Sequence, residues 1–227
     1  MVKKVNRNIE KYFFNTLPET LVPFEATVRN GELVVESFRR TIKSAKKFHK
    51  QFYHDPFSDE AIAFIVSELS SVVSGWGYFT DDIKEGHIIT YVADIAKSDL
   101  ILDSTHKIKK ADGYINLTEY ELESIDEEDD ACYFVTVIDG KIVSVCETNA
   151  QDAFIGAKEI NVYTAHEYRG LGYGASNVSA MVKHYISLGY RVAYTSRKDN
   201  SASCALAEKC GFDKVAETYY YICYKEE

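Results

Sequence analysis

The sequence predicts a mixed α/β fold, an α+β mixed sheet, and three observations predict it. The chain of 227 residues is 46% hydrophobic, enough apolar material for one large domain or two small ones. From Cys132 onward, strand-like and helix-like segments follow one another in the order ββ, β, α, β, α, β. Tight-turn dipeptides and single glycines fall between those segments, as short connections require. The reading divides the chain into an N-terminal α+β region, 1–110, and a second domain, 111–227.

In the first region, "EATVRNGELVVES" predicts a hairpin around Asn30-Gly31. "FRRTIKSAKKFHKQFY" and "SDEAIAFIVSELSSVVSGW" carry helical spacing, the second with Ser58 as its cap. "HIITYVADI" reads as a strand and "NLTEYELESI" as a short helix. The acidic run Glu123 to Asp130 reads as a solvated segment, after which the chain changes character.

In the second domain, Cys132–Ile138 and Lys141–Glu147 are β-branched and aromatic runs around Asp139-Gly140, the pattern of an antiparallel hairpin. Lys158–Thr164 is a third strand. From Gly174 to Leu188, the apolar positions Val178, Met181, Val182, Tyr185 and Ile186 recur on one helical face, and Gly189 supplies the stop. "RVAYTS" is a short strand. "NSASCALAEKCGF" is a second helix, capped by Asn200 or Ser201 and closed by Gly211, and "KVAETYYYICY" ends the fold as one or two β segments.

Charge and cysteine content narrow the function. A formal net charge of −9 argues against nucleic acid as the main partner, because phosphate backbones require a basic face. Five cysteines without C-x-x-C spacing indicate neither a zinc site nor a disulfide framework, and reduced, mostly buried thiols are expected. No apolar run approaches the ~20 residues of a membrane span, and the N-terminus lacks the features of a secretory signal, so a cytoplasmic protein without membrane partners is expected.

The chemistry concentrates in "YRGLGYGASN", Tyr168 to Asn177, which joins a strand to an amphipathic helix. Free N–H groups at a helix start, the helix dipole and closely approachable glycine backbone together make an anion site. The dinucleotide fingerprint needs G-x-G-x-x-G, whereas Gly170, Gly172 and Gly174 alternate. A Walker loop needs a lysine after the last glycine, and none is present.

Arg169, Gly172 and Gly174 do fit the pattern Arg/Gln-x-x-Gly-x-Gly/Ala, and here the chain resembles the GNAT superfamily of N-acetyltransferases, whose coenzyme A pyrophosphate loop has that pattern. "YFVTVIDGKIVSVC", "VYTAHEYRGLGYG" and "RKDNSASCALAEKCGF" resemble the family's central hairpin, strand-to-loop passage and following helix, so the resemblance runs from about Cys132 to Tyr224. "LAEK" further suggests the antibiotic-resistance-type, zwittermicin-resistance-like members.

The resemblance implies acetyl-CoA as co-substrate, no metal, and direct transfer of acetyl to a primary amine of a small molecule or peptide. It implies that backbone groups of Val162, Tyr163 and Thr164 pair with the pantetheine arm. It implies further that Arg169, Gly170, Leu171, Gly172, Tyr173, Gly174 and Ala175 hold the pyrophosphate, and that Asn200 and Ser203 contact the coenzyme. A homodimer is a reasonable expectation from the same source, and the N-terminal region would wall the acceptor site.

An alkylammonium must lose a proton before it can attack, so a base is required. Glu159, on the strand leading to the loop, and Glu147, at the end of the preceding strand, are the two candidates. The tyrosine that many members carry four residues before the terminal glycine is replaced by Ala207. Tyr194, Tyr219 and Cys204 are the substitutes for that acid, and His166 is a further titratable neighbour of the loop. The alternative reading is an acyl-CoA-binding sensor that keeps the loop without turnover.

Overall fold

The computed structural model describes residues 20–79, 86–108, 133–153 and 156–225. The expected helix in "NLTEYELESI" and the acidic run lie outside the described residues. The chain folds as two compact units. One comprises 1–89, 197–199 and 215–227; the other comprises 90–196 and 200–214. Most of the final strand of the chain joins the first unit because it pairs with Thr20–Arg29.

The first unit begins with the expected hairpin, β1 (Thr20–Arg29) and β2 (Glu32–Ser37). Asn30 and Gly31 take φ of 52° and 75°, the left-handed pair that a two-residue turn needs to match strand twist. Strand β1 also pairs antiparallel with β10 (Asp213–Lys225), a single strand that carries the short β3 (Tyr78–Phe79).

Two helices cover this sheet. Helix α1 (Ile42–Gln51) buries Ala45 and Phe48, and α2 (Asp59–Ser74) buries every fourth residue, Ala61, Ile65, Leu69 and Val73. Ser58 caps α2 as predicted, its hydroxyl accepting from the Ala61 N–H at 3.3 Å. Facing them are Phe24, Ala26, Leu33, Val35, Tyr219 and Tyr221. Each fully buried aliphatic side chain here contributes about 1.5–3 kcal/mol.

In the second unit, β5 (Thr105–Ile108), β6 (Tyr133–Ile138), β7 (Lys141–Ala153) and β8 (Ala157–Thr164) form an antiparallel series. Asp139 and Gly140 make the predicted turn, with φ of 49° and 75°. Strand β7 runs beyond Glu147 because it continues to pair with β8 after an irregularity between Thr148 and Asp152. Strand β9 (Val192–Arg197) lies parallel to β8. Strand β4 (His87–Ala93) contributes residues to both units.

Helix α3 (Tyr173–Ser187) connects β8 to β9, and α4 (Ser201–Lys209) follows β9. Asn200 caps α4, accepting from the Ser203 N–H at 3.1 Å. Helix α3 buries polar as well as apolar residues. Ser176 Oγ accepts from the Leu102 N–H at 2.7 Å, Ser179 Oγ donates to Ser98 Oγ at 2.8 Å, and Lys183 pairs with Asp99 at 2.6 Å. These three residues share one helical stripe, which holds the segment 98–102 along the helix.

Cys146, Cys210 and Cys223 are buried free thiols and Cys204 is half-buried. Among the described residues, no helix is long and apolar enough to cross a membrane, and no group of three or more His, Cys, Asp or Glu side chains is placed to hold a metal ion.

Candidate functional site

Strand β8 and strand β9 are aligned at only two positions, Lys158↔Val192 and Glu159↔Ala193. The Lys158 N–H donates to the Arg191 carbonyl at 2.9 Å, so even-numbered residues of β8 turn their backbone groups toward β9. Beyond Glu159 the strands are no longer paired among the described residues, and the backbone of Ile160 and Val162 faces the opening. Tyr163 differs: its carbonyl turns toward β7 and accepts from Ser144 Oγ at 3.0 Å. Of the residues expected to meet pantetheine, Val162 and Thr164 therefore present their backbones to the opening and Tyr163 does not.

The chain then makes a short 3₁₀ turn, His166–Tyr168, and enters the glycine loop. Arg169 folds back, its Nε donating to the Thr164 carbonyl at 2.9 Å, which uses one of five guanidinium donors. Gly172 is the N-cap of α3 at φ 87°, where an L side chain is disfavoured, and no side chain caps the helix. The first-turn N–H groups of Tyr173, Gly174 and Ala175 thus have no capping side chain, and intrahelical bonding cannot satisfy them.

A Cβ added at Gly170 or Gly172 would meet no protein atom within 4 Å, so the outside of the loop is open to a ligand. Gly174 is constrained from the inside: a Cβ there would stand 3.1 Å from Thr164 Oγ1. The residues present therefore fit a diphosphate, with open backbone donors at a helix N-terminus and an adjacent arginine. Leu171, 58% exposed, lies at the surface of the loop.

A buried polar chain fixes this geometry, and sequence reasoning missed it. Asn177 on α3, fully buried, accepts from Thr136 Oγ1 at 3.1 Å through Oδ1 and donates to Ser144 Oγ at 3.0 Å through Nδ2. Ser144 spends its one proton on the Tyr163 carbonyl, so its 2.8 Å contact with Thr164 must be donated by Thr164. Strands β6, β7 and β8 are thereby tied to α3 at the point where β8 ends. The only sequence signal was three polar residues, Ser176, Asn177 and Ser179, in a stretch otherwise set for burial.

Ser144 and Thr164 reach toward α3, which assigns the even positions of β7 and β8 to the helix-covered face. Alternation then places Glu147, Glu159, Asn161 and Tyr163 together on the opposite face, with Glu147 directly across from Asn161. The two candidate bases thus share one face of neighbouring strands. Glu159 is the last residue of β8 aligned with β9. Glu147 is half-buried, and burial raises its carboxyl above the ordinary carboxylate range.

Tyr194 follows immediately after the last aligned position of β9. It is buried, and its hydroxyl lies 2.6 Å from Ser203 Oγ. Burial raises its pKa, an effect partly offset by that hydrogen bond. Asn200 Oδ1 and Ser203 Oγ, both expected at the coenzyme, already have partners within the unit: the α4 cap and Tyr194. Ala207, where many relatives carry tyrosine, is buried. Tyr219 belongs to the core of the first unit, while Cys204 lies 3.8 Å from Ser196 Oγ and His166 is exposed.

Residues 101–212 match the acetyltransferase (GNAT) family, a segment just short of half the chain. Among solved structures, a candidate acetyltransferase of the GNAT family from Novosphingobium aromaticivorans is similar at 16% identity over 66% of this chain and 69% of that one, with a TM-score of 0.49. A GCN5-related N-acetyltransferase from Kribbella flavida is similar at 15% identity over 70% of this chain and 64% of its own, with a TM-score of 0.47. A GCN5-related N-acetyltransferase-like protein from Streptococcus suis is similar at 14% over 90% and 84%, with a TM-score of 0.44. No curated protein matches. At these identities nothing about substrate passes from those proteins to this one.

Proposed function

From a chain whose residues 101–212 match the acetyltransferase (GNAT) family, we propose an acetyl-CoA-dependent N-acetyltransferase that acylates a primary amine of a small molecule or peptide. The observation that carries this reading is the opening between β8 and β9, which leads directly to an uncapped, glycine-lined helix N-terminus. The LAEK helix makes antibiotic-type amines a reasonable first panel of acceptors.

When bound, the coenzyme supplies an acetyl thioester. The backbone N–H groups from Gly170 to Ala175 and the Arg169 guanidinium hold the pyrophosphate, and the backbone of Ile160 and Val162 receives the pantetheine arm as an added strand would be received. Glu147 is assigned to proton abstraction, because burial raises its carboxyl from the ordinary carboxylate range toward the operating pH. Glu159, at the edge of the opening, orients the incoming amine. Tyr194, backed by Ser203, returns a proton to the departing sulfur.

The test is thiol release from acetyl-CoA with an amine panel, with the acetylated product identified by mass and coenzyme binding measured separately. Glu147→Gln should lower kcat/KM about 10²–10⁴-fold, the ordinary range for a general base, with coenzyme affinity retained. Unchanged coenzyme binding in Gly172→Asp would overturn the assignment of the loop. Binding without turnover across a broad panel would favour the sensor.

A further inference from the structure

Helix α1 carries a charge pattern that the rest of this acidic chain does not share. Between Glu36 and Asp55 stand Arg39, Arg40, Lys43, Lys46, Lys47 and Lys50, six of the 26 Lys and Arg residues and none of the 35 Asp and Glu. The whole segment belongs to the first unit.

The four lysines fall at i, i+3, i+4 and i+7 of the helix and all are exposed, so they form one stripe about 10 Å long. It lies opposite Ala45 and Phe48, which are fully buried. Lys43 neighbours Lys46 and Lys47, and Lys50 neighbours the same two, so every pair along the stripe is like-charged, an arrangement that weakens a helix. No acidic residue stands in the first turn, where the helix dipole favours one. Solubility alone is served as well by mixed signs, which spare the helix that repulsion. Lys47 pairs with Glu68 of α2 at 3.3 Å, whereas Lys43, Lys46 and Lys50 make no hydrogen bond or ion pair among the described residues.

A second observation lies at the C-terminal end of the stripe. The His49 and Tyr53 rings meet edge to face with centroids 5.3 Å apart, and the Tyr53 and His54 rings do the same at 5.2 Å. Tyr53 is 41% exposed and His54 is exposed. Aromatic faces beside a row of ammonium groups suit a single-stranded nucleic acid, whose phosphates track the charges while its bases stack on the rings. An anionic bilayer fits less well. A helix that enters the interface needs a free apolar face, and α1 has buried its own in the core.

We propose that α1 and the turn after it form a binding surface for single-stranded nucleic acid, with Lys43, Lys46 and Lys50 neutralising phosphates and Tyr53 stacking a base. The net charge of −9 argues against nucleic acid for the chain as a whole, but at physiological salt exposed charges more than about 8 Å away are largely screened. Lysines act as point charges rather than bidentate forks, so the surface reads backbone and not sequence.

The experiment titrates the full chain, without coenzyme or amine, into a fluorescein-labelled oligoadenylate of about 12 nucleotides and follows anisotropy at about 50 mM salt. The same strand in a duplex, polyglutamate of equal charge and phosphatidylserine vesicles are the comparisons. The strand should bind in the micromolar range, and log K should fall against log salt with a slope of about −2, the value for three phosphates neutralised on a single strand. Each comparison should bind at least about tenfold more weakly, because none offers unstacked bases.

All four tested side chains are exposed, so their substitution spares the core. Lys43→Gln combined with Lys46→Gln and Lys50→Gln should weaken binding at least about tenfold and flatten the salt dependence. Tyr53→Ala should weaken it about tenfold with the salt slope unchanged. Absence of strand binding at about 100 μM, tighter binding of vesicles or polyglutamate than of the strand, or an affinity indifferent to either variant would each overturn the proposal.

Discussion

Substituting Asn177 is the sharpest test of how the second unit holds its loop. Asn177→Ala removes hydrogen bonds of 3.1 and 3.0 Å and strands a Thr136 hydroxyl and a Ser144 lone pair where all three residues are fully buried. Two net bonds at about 1 kcal/mol each, with desolvation of about 1 kcal/mol, the low end for a group left unpaired, give a destabilisation of about 3 kcal/mol. Native-state hydrogen exchange suits a chain with two compact units, because it reads each region separately. Amides of β6 to β8 that exchange by opening of this unit should exchange about a hundredfold faster. Asn177→Leu, which refills the volume without the bonds, should be nearly as harmful. A cycle with Ser144→Ala should show coupling above about 0.5 kcal/mol. If Asn177→Leu restored wild-type exchange, or the two substitutions were additive, hydrogen bonding would not be what anchors α3.

Two further outcomes follow from the site. Gly172→Ala introduces no clash but places an L residue at φ 87°, so it should destabilise the unit by about 1–2 kcal/mol and weaken coenzyme A binding, as thermal unfolding and titration would show; an unchanged Tm would contradict the backbone assignment. Burial raises the Glu147 pKa above the ordinary carboxylate range, so the protonated form favours folding: that contribution is full below the unfolded pKa and is lost as pH rises through the folded one. Glu147→Gln should therefore gain stability relative to wild type between pH 4 and pH 8, and a difference independent of pH in urea unfolding would exclude a desolvated carboxylate.

Local signals carried much of this fold. Asn30-Gly31 and Asp139-Gly140 specify their turns by backbone conformation alone, and Ser58 and Asn200 announce their helices through side-chain oxygens that reach the first turn. What was illegible depends on distant partners. Strand β5 is four residues without alternation and exists because β6 offers it an edge. Strand β7 continues past Glu147 because β8 resumes pairing beyond the irregularity. At the site, glycine spacing pointed to the loop from sequence alone. The shared face of Glu147 and Glu159 required the register of β7 on β8, and the Asn177 chain required knowing which polar residues of α3 turn inward.

The pairing of β1 with β10 also orders events in time. Leu21 and Cys223 touch across 202 residues of chain, whereas the second unit is nearly continuous in sequence. Closing so long a loop costs about 0.6 kcal/mol for every doubling of its length, and that cost falls once the intervening residues have become compact. On the ribosome, the acetyltransferase-like unit can therefore collapse first and bring the two distant strands within reach. The sheet of the first unit then gains β10 only after residues 213–225 have emerged. Until then, β1 lacks its β10 partner, and its exposed edge is open to pairing with other chains.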